Sequence, residues 1–309
     1  MVLEILPSTC IAYAVDVGEL TKTNRFLTRR VCESIDLLIT RTDAARERLV
    51  EMGVRRPVLT GTDPAFRFEA DRANIPISLT TAQPARSLLG VAPIEFYQWP
   101  VRYRLYGPRS ERYHWPHYFT WDDDRRKLSE RTAAAWRELI RHAQRRHDLD
   151  VALIAMEALD EEFCRKILDG LDVSTRARIQ LVSSRDNTPH EIVPVLRKLS
   201  FLATSRYHAC VLSMQANVPQ MAVAHDERLR SIYAEAGLDQ KYLLDPAGAL
   251  EPGRLGSVLD QLVHESDAIR QTLDLRHREY FLPRCDLNVQ ALRTAGNDWG
   301  RNRFRPDRR

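Results

Sequence analysis

A serine, an arginine and a histidine follow one another closely where a short apolar run ends. The run Phe201–Thr204 leads into Ser205, Arg206 and, one residue further on, His208. This pattern predicts a buried strand followed at once by a helix, and in parallel α/β sheets ligands bind at the carboxyl ends of strands. The free N–H groups of a helix N-terminus attract anions, arginine donates to phosphate or carboxylate, and histidine exchanges a proton near neutral pH. The segment therefore predicts a site for a phosphorylated or carboxylated substrate.

The same three residues also have a purely structural interpretation. Ser205 could cap the helix, while Arg206 and His208 make ordinary surface contacts. The local pattern does not decide between the two interpretations, because a motif gains meaning only from its structural context.

The elements that must position this site alternate between short apolar runs and longer amphipathic segments, which indicates an α/β protein. Strands are predicted at residues 10–15, 36–40, 57–60, 87–94, 150–156, 178–182, 201–204 and 220–224, and helices at 24–34, 42–52, 122–147, 159–171, 189–199, 207–216, 227–236 and within 254–295. Because helices of about ten residues separate the strands, we expect mostly parallel sheets with right-handed crossovers.

Three segments lack this alternation and suggest the domain organisation. A polar stretch with two prolines at 69–85 is a candidate linker, so we predict a partial N-terminal Rossmann-like domain at 1–85 and a C-terminal one at 86–296. Residues 97–121 hold three Trp, five Tyr, three Pro and two His, and this aromatic content argues against disorder in so long an insertion. Residues 297–309 are predicted to be a basic disordered tail.

Charge excludes several classes of function. The chain has 46 Lys plus Arg and 42 Asp plus Glu, and five Arg and one Asp lie in the last nine residues. Residues 1–300 are therefore neutral, which argues against a general nucleic-acid protein and against a basic helix on an anionic membrane surface. An anionic ligand must be held by a few placed residues.

Targeting signals and cysteines suggest the compartment. No apolar run approaches the roughly 18 residues of a membrane helix. The first residues are interpreted as the start of a strand and not as a signal peptide, because a basic region is missing and Glu4 and Pro7 interrupt the apolar stretch. Five scattered cysteines without a C-x-x-C pair predict reduced thiols in the cytoplasm and no zinc site.

Several motifs, taken in order, resemble the polysaccharide pyruvyl transferase family. The segment at 205–209, Ser-Arg-Tyr-His-Ala, is similar to the family's S-R-x-H-A/G element. Further elements with the family's order and spacing are Arg41 to Ala45, Gly53-Val54, Thr62-Asp63-Pro64-Ala65-Phe66, Val182-Ser183-Ser184 with Asp186 and Glu191, Asn217-Val218-Pro219, and Gly237-Leu238. The resemblance covers roughly residues 16–245. It implies an α/β fold of two Rossmann-like domains, similar to GT-B glycosyltransferases.

One departure from the family concerns the start of the chain. Family members usually open with a further segment of roughly 80–100 residues, a domain-sized length, which carries a Gly-rich N-x-G-D turn. This sequence begins after that segment. We therefore expect a shortened first domain, and catalytic competence depends on whether that segment is needed.

The resemblance implies a ketal-forming transfer. Such enzymes move the enolpyruvyl group of phosphoenolpyruvate onto two hydroxyls of a sugar and release phosphate. By matched position, His208 is the general acid/base and Arg206 binds the anion, while Ser205 and the amides of 207–209 cradle the phosphate. Ser184 and Arg185, at the preceding strand end, are further candidates.

Two more positions match motifs on the first domain. These are Arg41 and Asp63, which we expect to bind substrate. A turn residue before Pro64 is an equally good interpretation of Asp63.

The expected partners are a small-molecule donor and a glycan acceptor in the cytoplasm, peripheral to lipid-linked glycans, with no nucleic acid. No metal and no cofactor beyond the donor phosphoenolpyruvate are expected. The aromatic insertion 97–121 either stacks on the acceptor sugar or packs onto its own domain. Two other functions stay open: a GT-B-type glycosyltransferase or sugar-nucleotide epimerase, for which Glu227 and Glu235 have a typical spacing of eight, or a degenerate, non-catalytic family member.

Overall fold

The computed structural model of the protein describes residues 10–70 and 86–302, with side chains up to residue 295. The strands are β1 (Ile11–Val15), β2 (Leu37–Thr40), β3 (Val58–Thr60), β4 (Leu88–Ala92), β5 (Val101–Tyr103), β6 (Arg112–His114), β7 (His117–Phe119), β8 (Asp150–Ala155), β9 (Ile179–Ser183), β10 (Phe201–Thr204), β11 (Gln220–Val223) and β12 (Leu243–Leu244). The helices are α1 (Lys22–Cys32), α2 (Asp43–Glu51), α3 (Asp123–His147), α4 (Asp160–Asp169), α5 (Val173–Arg176), α6 (Pro189–Lys198), α7 (Tyr207–Met214), α8 (Glu227–Ala236), α9 (Asp239–Tyr242), α10 (Arg254–His264), α11 (Ser266–Arg276) and α12 (Leu282–Asn302). The predicted alternation of strands and helices is confirmed to within a few residues at each end.

The chain divides into two compact units. The first comprises residues 1–69, 226–236 and 274–309, and the second comprises 70–225 and 237–273. This grouping differs from the predicted domains 1–85 and 86–296, because α8 and the C-terminal helices join the first unit. Amphipathic periodicity shows that a helix buries one face, but it does not show which core covers that face.

Two other predicted segments fall at the edges of the described chain. The candidate linker 69–85 lies outside the described residues from 71 onward, and so does the tail from 303. The backbone of 297–302 continues α12, contrary to the disorder predicted from residue 297.

The first unit is built on a small parallel sheet with the strand order β1-β2-β3. The hydroxyls of Thr21 and Thr42 accept the N–H groups of Asn24 and Ala45 and so cap α1 and α2. Gly53 follows α2 at a φ of +81°, a conformation that glycine adopts without strain. The core of this unit packs the following residues: Val17, Cys32, Ile35, Leu38, Ala45, Leu49 and Val54.

The C-terminal helices complete this unit. Phe66, in the short 3₁₀ turn Pro64–Arg67, stacks on Phe281 with ring centroids 4.1 Å apart. The amide of Asn288 on α12 donates to the Thr62 carbonyl at 2.8 Å. A Cβ on Gly61 would overlap the Asn288 side chain, so the glycine is what lets α12 approach the turn after β3.

The second unit contains a six-stranded parallel sheet with the order β12-β11-β10-β4-β8-β9. Its central strands β4, β8 and β10 are almost entirely buried, as expected for a parallel sheet covered by helices on both faces. The carboxyl ends of these strands lie at one edge of the sheet. The residues that follow β10, β4, β8 and β9 are therefore neighbours in space.

The aromatic insertion has regular structure. Strands β5, β7 and β6 form a small antiparallel sheet in that order, which we did not predict because its strands are only three residues long. Trp99 packs edge-on against Tyr113 and Phe119, with centroids 5.3 and 5.6 Å apart. Tyr106 and Trp115 remain exposed.

Within the described residues, no helix is both long enough and apolar enough to cross a membrane.

Candidate functional site

The predicted strand-to-helix junction after β10 is present and is tightly ordered. The Thr204 hydroxyl accepts the Arg206 N–H at 2.8 Å, and the Ser205 N–H donates to the Ala92 carbonyl at 3.0 Å. The Ser205 Oγ accepts the Ile94 N–H at 2.8 Å. Ser205 is therefore buried and joins the ends of β10 and β4, which supports the structural interpretation of this side chain.

The helix α7 begins directly after Arg206. No side chain caps its N-terminus, so its first-turn amides keep the partial positive charge that attracts anions. His208 lies in this first turn and is exposed, and its ring packs edge-on against that of Tyr207. An exposed imidazole at an uncapped helix start meets the geometric needs of an acid/base group beside a bound anion.

Arg206 is oriented by two carboxylates. Its guanidinium forms ion pairs with Asp160, which is buried, and with Glu157 at 3.0 Å. Burial raises the pKa of Asp160, against the opposing effect of Arg206. The Nε of Arg206 is buried and has no hydrogen-bond partner among the described residues. Arg206 is therefore fixed in direction while one of its donors is left unused.

The carboxylate partners of Arg206 escaped the sequence analysis. Asp160 and Glu157 follow β8, and Asp160 opens α4 together with two glutamates. Acidic residues are common in the first turn of a helix, so this run looked like ordinary helix chemistry. The available signal was their position directly after a buried strand.

Ser184 and Arg185 lie at the same edge of the sheet but do not join Arg206 directly. The order β10-β4-β8-β9 puts two strands between them, a separation of roughly 14 Å at the usual strand spacing. Arg185 is about half exposed and lies 3.5 Å from Glu161, the residue after Asp160. Ser184 is held through its N–H, which donates to Ala155 at 3.0 Å. The first turn of α4 thus links the two strand ends.

Arg41 and Asp63 contact each other in the first unit. The guanidinium of Arg41 donates to the Asp63 carboxylate at 3.0 Å and to the Ala14 carbonyl at 3.1 Å. The other oxygen of Asp63 accepts the Ala65 N–H at 2.8 Å and caps the 3₁₀ turn that follows. The predicted turn role of Asp63 is confirmed, and its substrate role stays a prediction.

Glu227 and Glu235, the pair considered for a glycosyltransferase, lie on α8 and make contacts inside the first unit. Glu227 pairs with Arg48 at 2.9 Å, and Glu235 accepts the Asp43 N–H at 3.2 Å. Burial raises the pKa of Glu235 to about 7. Both carboxylates therefore already serve as partners for α2 and its first residue.

A pocket of about 520 Å³ lies between the aromatic insertion, α3 and α4. Its buried end holds Glu95, whose carboxylate accepts the Ser129 hydroxyl at 2.5 Å, and Lys166 donates to the same hydroxyl at 2.8 Å. Burial raises the pKa of Glu95, and the hydrogen bond from Ser129 opposes this. Trp121 forms one wall, with the Arg126 guanidinium 5.2 Å from its ring.

This pocket shares its walls with the Arg206 region. Ile94, which donates to Ser205, precedes the pocket residue Glu95. Leu159, another pocket residue, precedes Asp160, the partner of Arg206. The pocket and the strand-end site are therefore neighbours within the second unit.

Comparisons of the fold identify its class. The chain is similar to the UDP-GlcNAc 2-epimerase from Neisseria meningitidis solved with UDP-GlcNAc, with a TM-score of 0.55 and 9% identity over 94% of this chain and 70% of that one. It is similar to HepE from Anabaena solved with UDP and glucose, with a TM-score of 0.52 and 11% identity over 90% and 68%. It is also similar to the pneumococcal O-GlcNAc transferase GtfA, with a TM-score of 0.53 and 11% identity over 93% and 51%.

These likenesses concern the fold, and the chain spans only between about half and 70% of the length of these proteins. They confirm the predicted α/β, GT-B-like fold class. No curated protein matches the chain in sequence. A family model described as polysaccharide pyruvyl transferase matches residues 8–227, a range that contains the strand-end residues from Arg41 to His208. The chain belongs to the polysaccharide pyruvyl transferase family.

Proposed function

We propose that the protein transfers the enolpyruvyl group of phosphoenolpyruvate onto two hydroxyls of a sugar in a polysaccharide or glycoconjugate precursor. The observation that carries this proposal is the Ser205–His208 junction. An oriented arginine, an uncapped helix start and an exposed histidine stand together at the carboxyl end of a central strand. Family membership supports the reaction class, and the junction offers the groups that this reaction needs.

The reaction divides into two additions. Protonation of the methylene carbon of phosphoenolpyruvate gives a cation at C2, which one sugar hydroxyl attacks. A second hydroxyl then displaces phosphate, and the two hydroxyl protons balance the new methyl hydrogen and the released hydrogen phosphate. His208 transfers these protons, because its imidazole is exposed in the first turn of α7.

The donor anion needs fixed hydrogen-bond donors. Arg206 and the first-turn amides of 207–209 bind its phosphate and carboxylate, and they are in place before the substrate arrives. Ser205 contributes through its O–H proton, since its oxygen accepts the Ile94 N–H. Arg185 and Ser184 stand too far along the sheet to touch the same phosphate, so we assign them to another part of the donor or acceptor.

The acceptor sugar binds in the pocket beside the aromatic insertion. Trp121 offers an apolar face to a sugar ring, and Glu95 and Gln98 offer polar atoms to its hydroxyls. The shared walls with the Arg206 region bring such a sugar to the edge of the sheet where the donor is held. The insertion would then choose the acceptor. The free thiols at all five cysteines suit a cytoplasmic reaction.

The test measures phosphate release from phosphoenolpyruvate in the presence of oligosaccharides that carry 1,2- or 1,3-diols. Release should depend on an acceptor and fall at least about a hundredfold in His208→Ala, the usual effect of losing an acid/base group. His190→Ala, which removes another exposed histidine near a helix start, is the matched control and should keep full activity.

Three results would contradict the proposal. Equal release by His208→Ala and the unchanged protein would remove the role of this histidine. Binding of a nucleotide sugar without binding of phosphoenolpyruvate would favour a glycosyltransferase or epimerase. Binding of neither donor by a folded protein would indicate a non-catalytic family member.

A further inference from the structure

Two histidines and one aspartate converge at the far end of α3 from the pocket. The Nε2 atoms of His142 and His147 lie 2.7 and 2.6 Å from the same oxygen of Asp260, on α10. The three ligand atoms all lie within 4.8 Å of one another. This is the one group of three or more potential metal-ligating side chains found within the described part of the chain.

The backbone is shaped to let one of these imidazoles approach. Gly256 lies one helical turn before Asp260, and a Cβ at this position would come within 2.9 Å of the His142 ring. The side chains are 30, 16 and 43% exposed for His142, His147 and Asp260, so an ion can reach them from solvent. The cluster is thus both held by the fold and open to ligand entry.

The donor types indicate the class of ion. Two imidazole nitrogens and one carboxylate oxygen suit Zn²⁺ and its first-row neighbours, whereas Mg²⁺ and Ca²⁺ prefer sites made of oxygen alone. Zinc bonds of about 2.0–2.2 Å in a tetrahedron separate the ligand atoms by about 3.3 Å. The two N···O distances must therefore lengthen by about 0.6–0.7 Å, which small rotations of part-exposed side chains supply.

We propose that His142, His147 and Asp260 bind a divalent transition-metal ion, of which Zn²⁺ fits best. Each imidazole coordinates through Nε2 in the tautomer that carries its proton on Nδ1, and water fills the fourth position. The ion joins the end of α3 to α10 inside the second unit. Since α3 ends just before the start of β8, the site lies at the amino end of the strands, opposite the Arg206 region. Its role is structural.

The test begins with the full-length protein stripped of metal by a chelator and dialysed. Titration with Zn²⁺ against a chromophoric chelator should give one site per chain, and Co²⁺ should produce the visible absorption of a four-coordinate nitrogen–oxygen site. Zn²⁺ should also raise the thermal unfolding temperature. His264→Ala, a histidine on the same helix α10, is the control and should behave like the unchanged protein.

Two variants separate metal binding from a simple hydrogen-bonded clasp. Asp260→Asn keeps an oxygen that accepts from both imidazoles but removes the charge that favours the ion, and His142→Gln removes one imidazole nitrogen. Each should keep the unfolding temperature of the metal-free protein to within a few degrees and weaken Zn²⁺ binding at least tenfold.

The proposal is overturned if the unchanged protein binds no Zn²⁺ at micromolar concentration, since the three side chains then form only a clasp. It is equally overturned if both variants bind Zn²⁺ as tightly as the unchanged protein. Should His142→Gln fail to fold, Asp260→Asn alone decides between the two outcomes.

Discussion

Each of the two units places an arginine just after a buried parallel strand, and the two arginines differ in how fully they are used. Arg41 donates to Asp63 and to the Ala14 carbonyl, and the second oxygen of Asp63 caps the next turn. Arg206 is held by two carboxylates, yet its Nε has no partner among the described residues. Arg41 therefore completes a local structure, whereas Arg206 is oriented and still has a donor to offer.

The difference teaches that position alone does not identify a binding arginine. Both residues stand where α/β proteins bind ligands, and both match motifs of the family. What separates them is the number of hydrogen bonds that their surroundings already satisfy.

The largest expected effect tests this comparison directly. Arg206→Ala should weaken phosphoenolpyruvate binding by about a hundredfold, because hydrogen bonds to charged groups contribute about 1.5–3 kcal/mol each. Arg41→Ala is the matched variant and should weaken binding by less than about fivefold. Calorimetric titration with phosphoenolpyruvate measures both values. Equal losses in the two variants would show that the first unit holds the donor as well.

A second prediction concerns a buried carboxyl that lacks such a close cationic partner. Asp160 faces Arg206, but Glu235 accepts only the Asp43 N–H, and burial raises its pKa from 4.5 to about 7. The folded state therefore holds its proton more tightly than the unfolded state does. Stability from this residue is fully present below about pH 4.5 and is lost as the pH rises to about 7.

Glu235→Gln should remove that loss. We expect the variant to be more stable than the unchanged protein by about 2 kcal/mol at pH 8 and nearly equal to it at pH 5, since a shift of this size corresponds to at most about 3 kcal/mol. Urea unfolding at the two pH values measures the difference. A gain that is the same at both would assign the effect to packing and not to ionisation.

A third, smaller effect concerns the junction itself. Ser205→Ala removes the acceptor of the Ile94 N–H, so the free energy of unfolding should fall by about 1–2 kcal/mol. Ser184→Ala, at the neighbouring strand end, should change it by less than about 0.5 kcal/mol. Chemical denaturation compares the two serines. If Ser205→Ala leaves stability unchanged, its hydroxyl is held for a ligand and not for the β4 loop.

Local patterns were sufficient for much of the fold. The apolar runs predicted the strands, and Thr42 and Gly53 marked the ends of α2, because strands and helix caps depend on neighbours a few residues away. The strand-to-helix junction at Ser205 was predicted for the same reason. The short strands of the aromatic insertion were missed, since three residues do not establish a period.

Contacts between distant segments could not be predicted. Asp160 lies 46 residues before Arg206, and no spacing in the sequence relates them. His142 and His147 are five residues apart, which a regular helix places on different faces, and Asp260 follows more than a hundred residues later. The sequence therefore predicted no metal site, and only the folded chain brings these groups together.

The return of α12 to the first unit has a consequence for the order in which the protein can be made. Strands β1 to β3 leave the ribosome early, but their partners Phe281 and Asn288 are added only near the end of synthesis. At about 5–20 residues per second, the stretch from Thr60 to Leu282 takes on the order of 10–40 s. A three-stranded sheet is marginal by itself, so the nascent chain exposes the Phe66 surface throughout that interval. We expect the first segment to be the one that chaperones must guard.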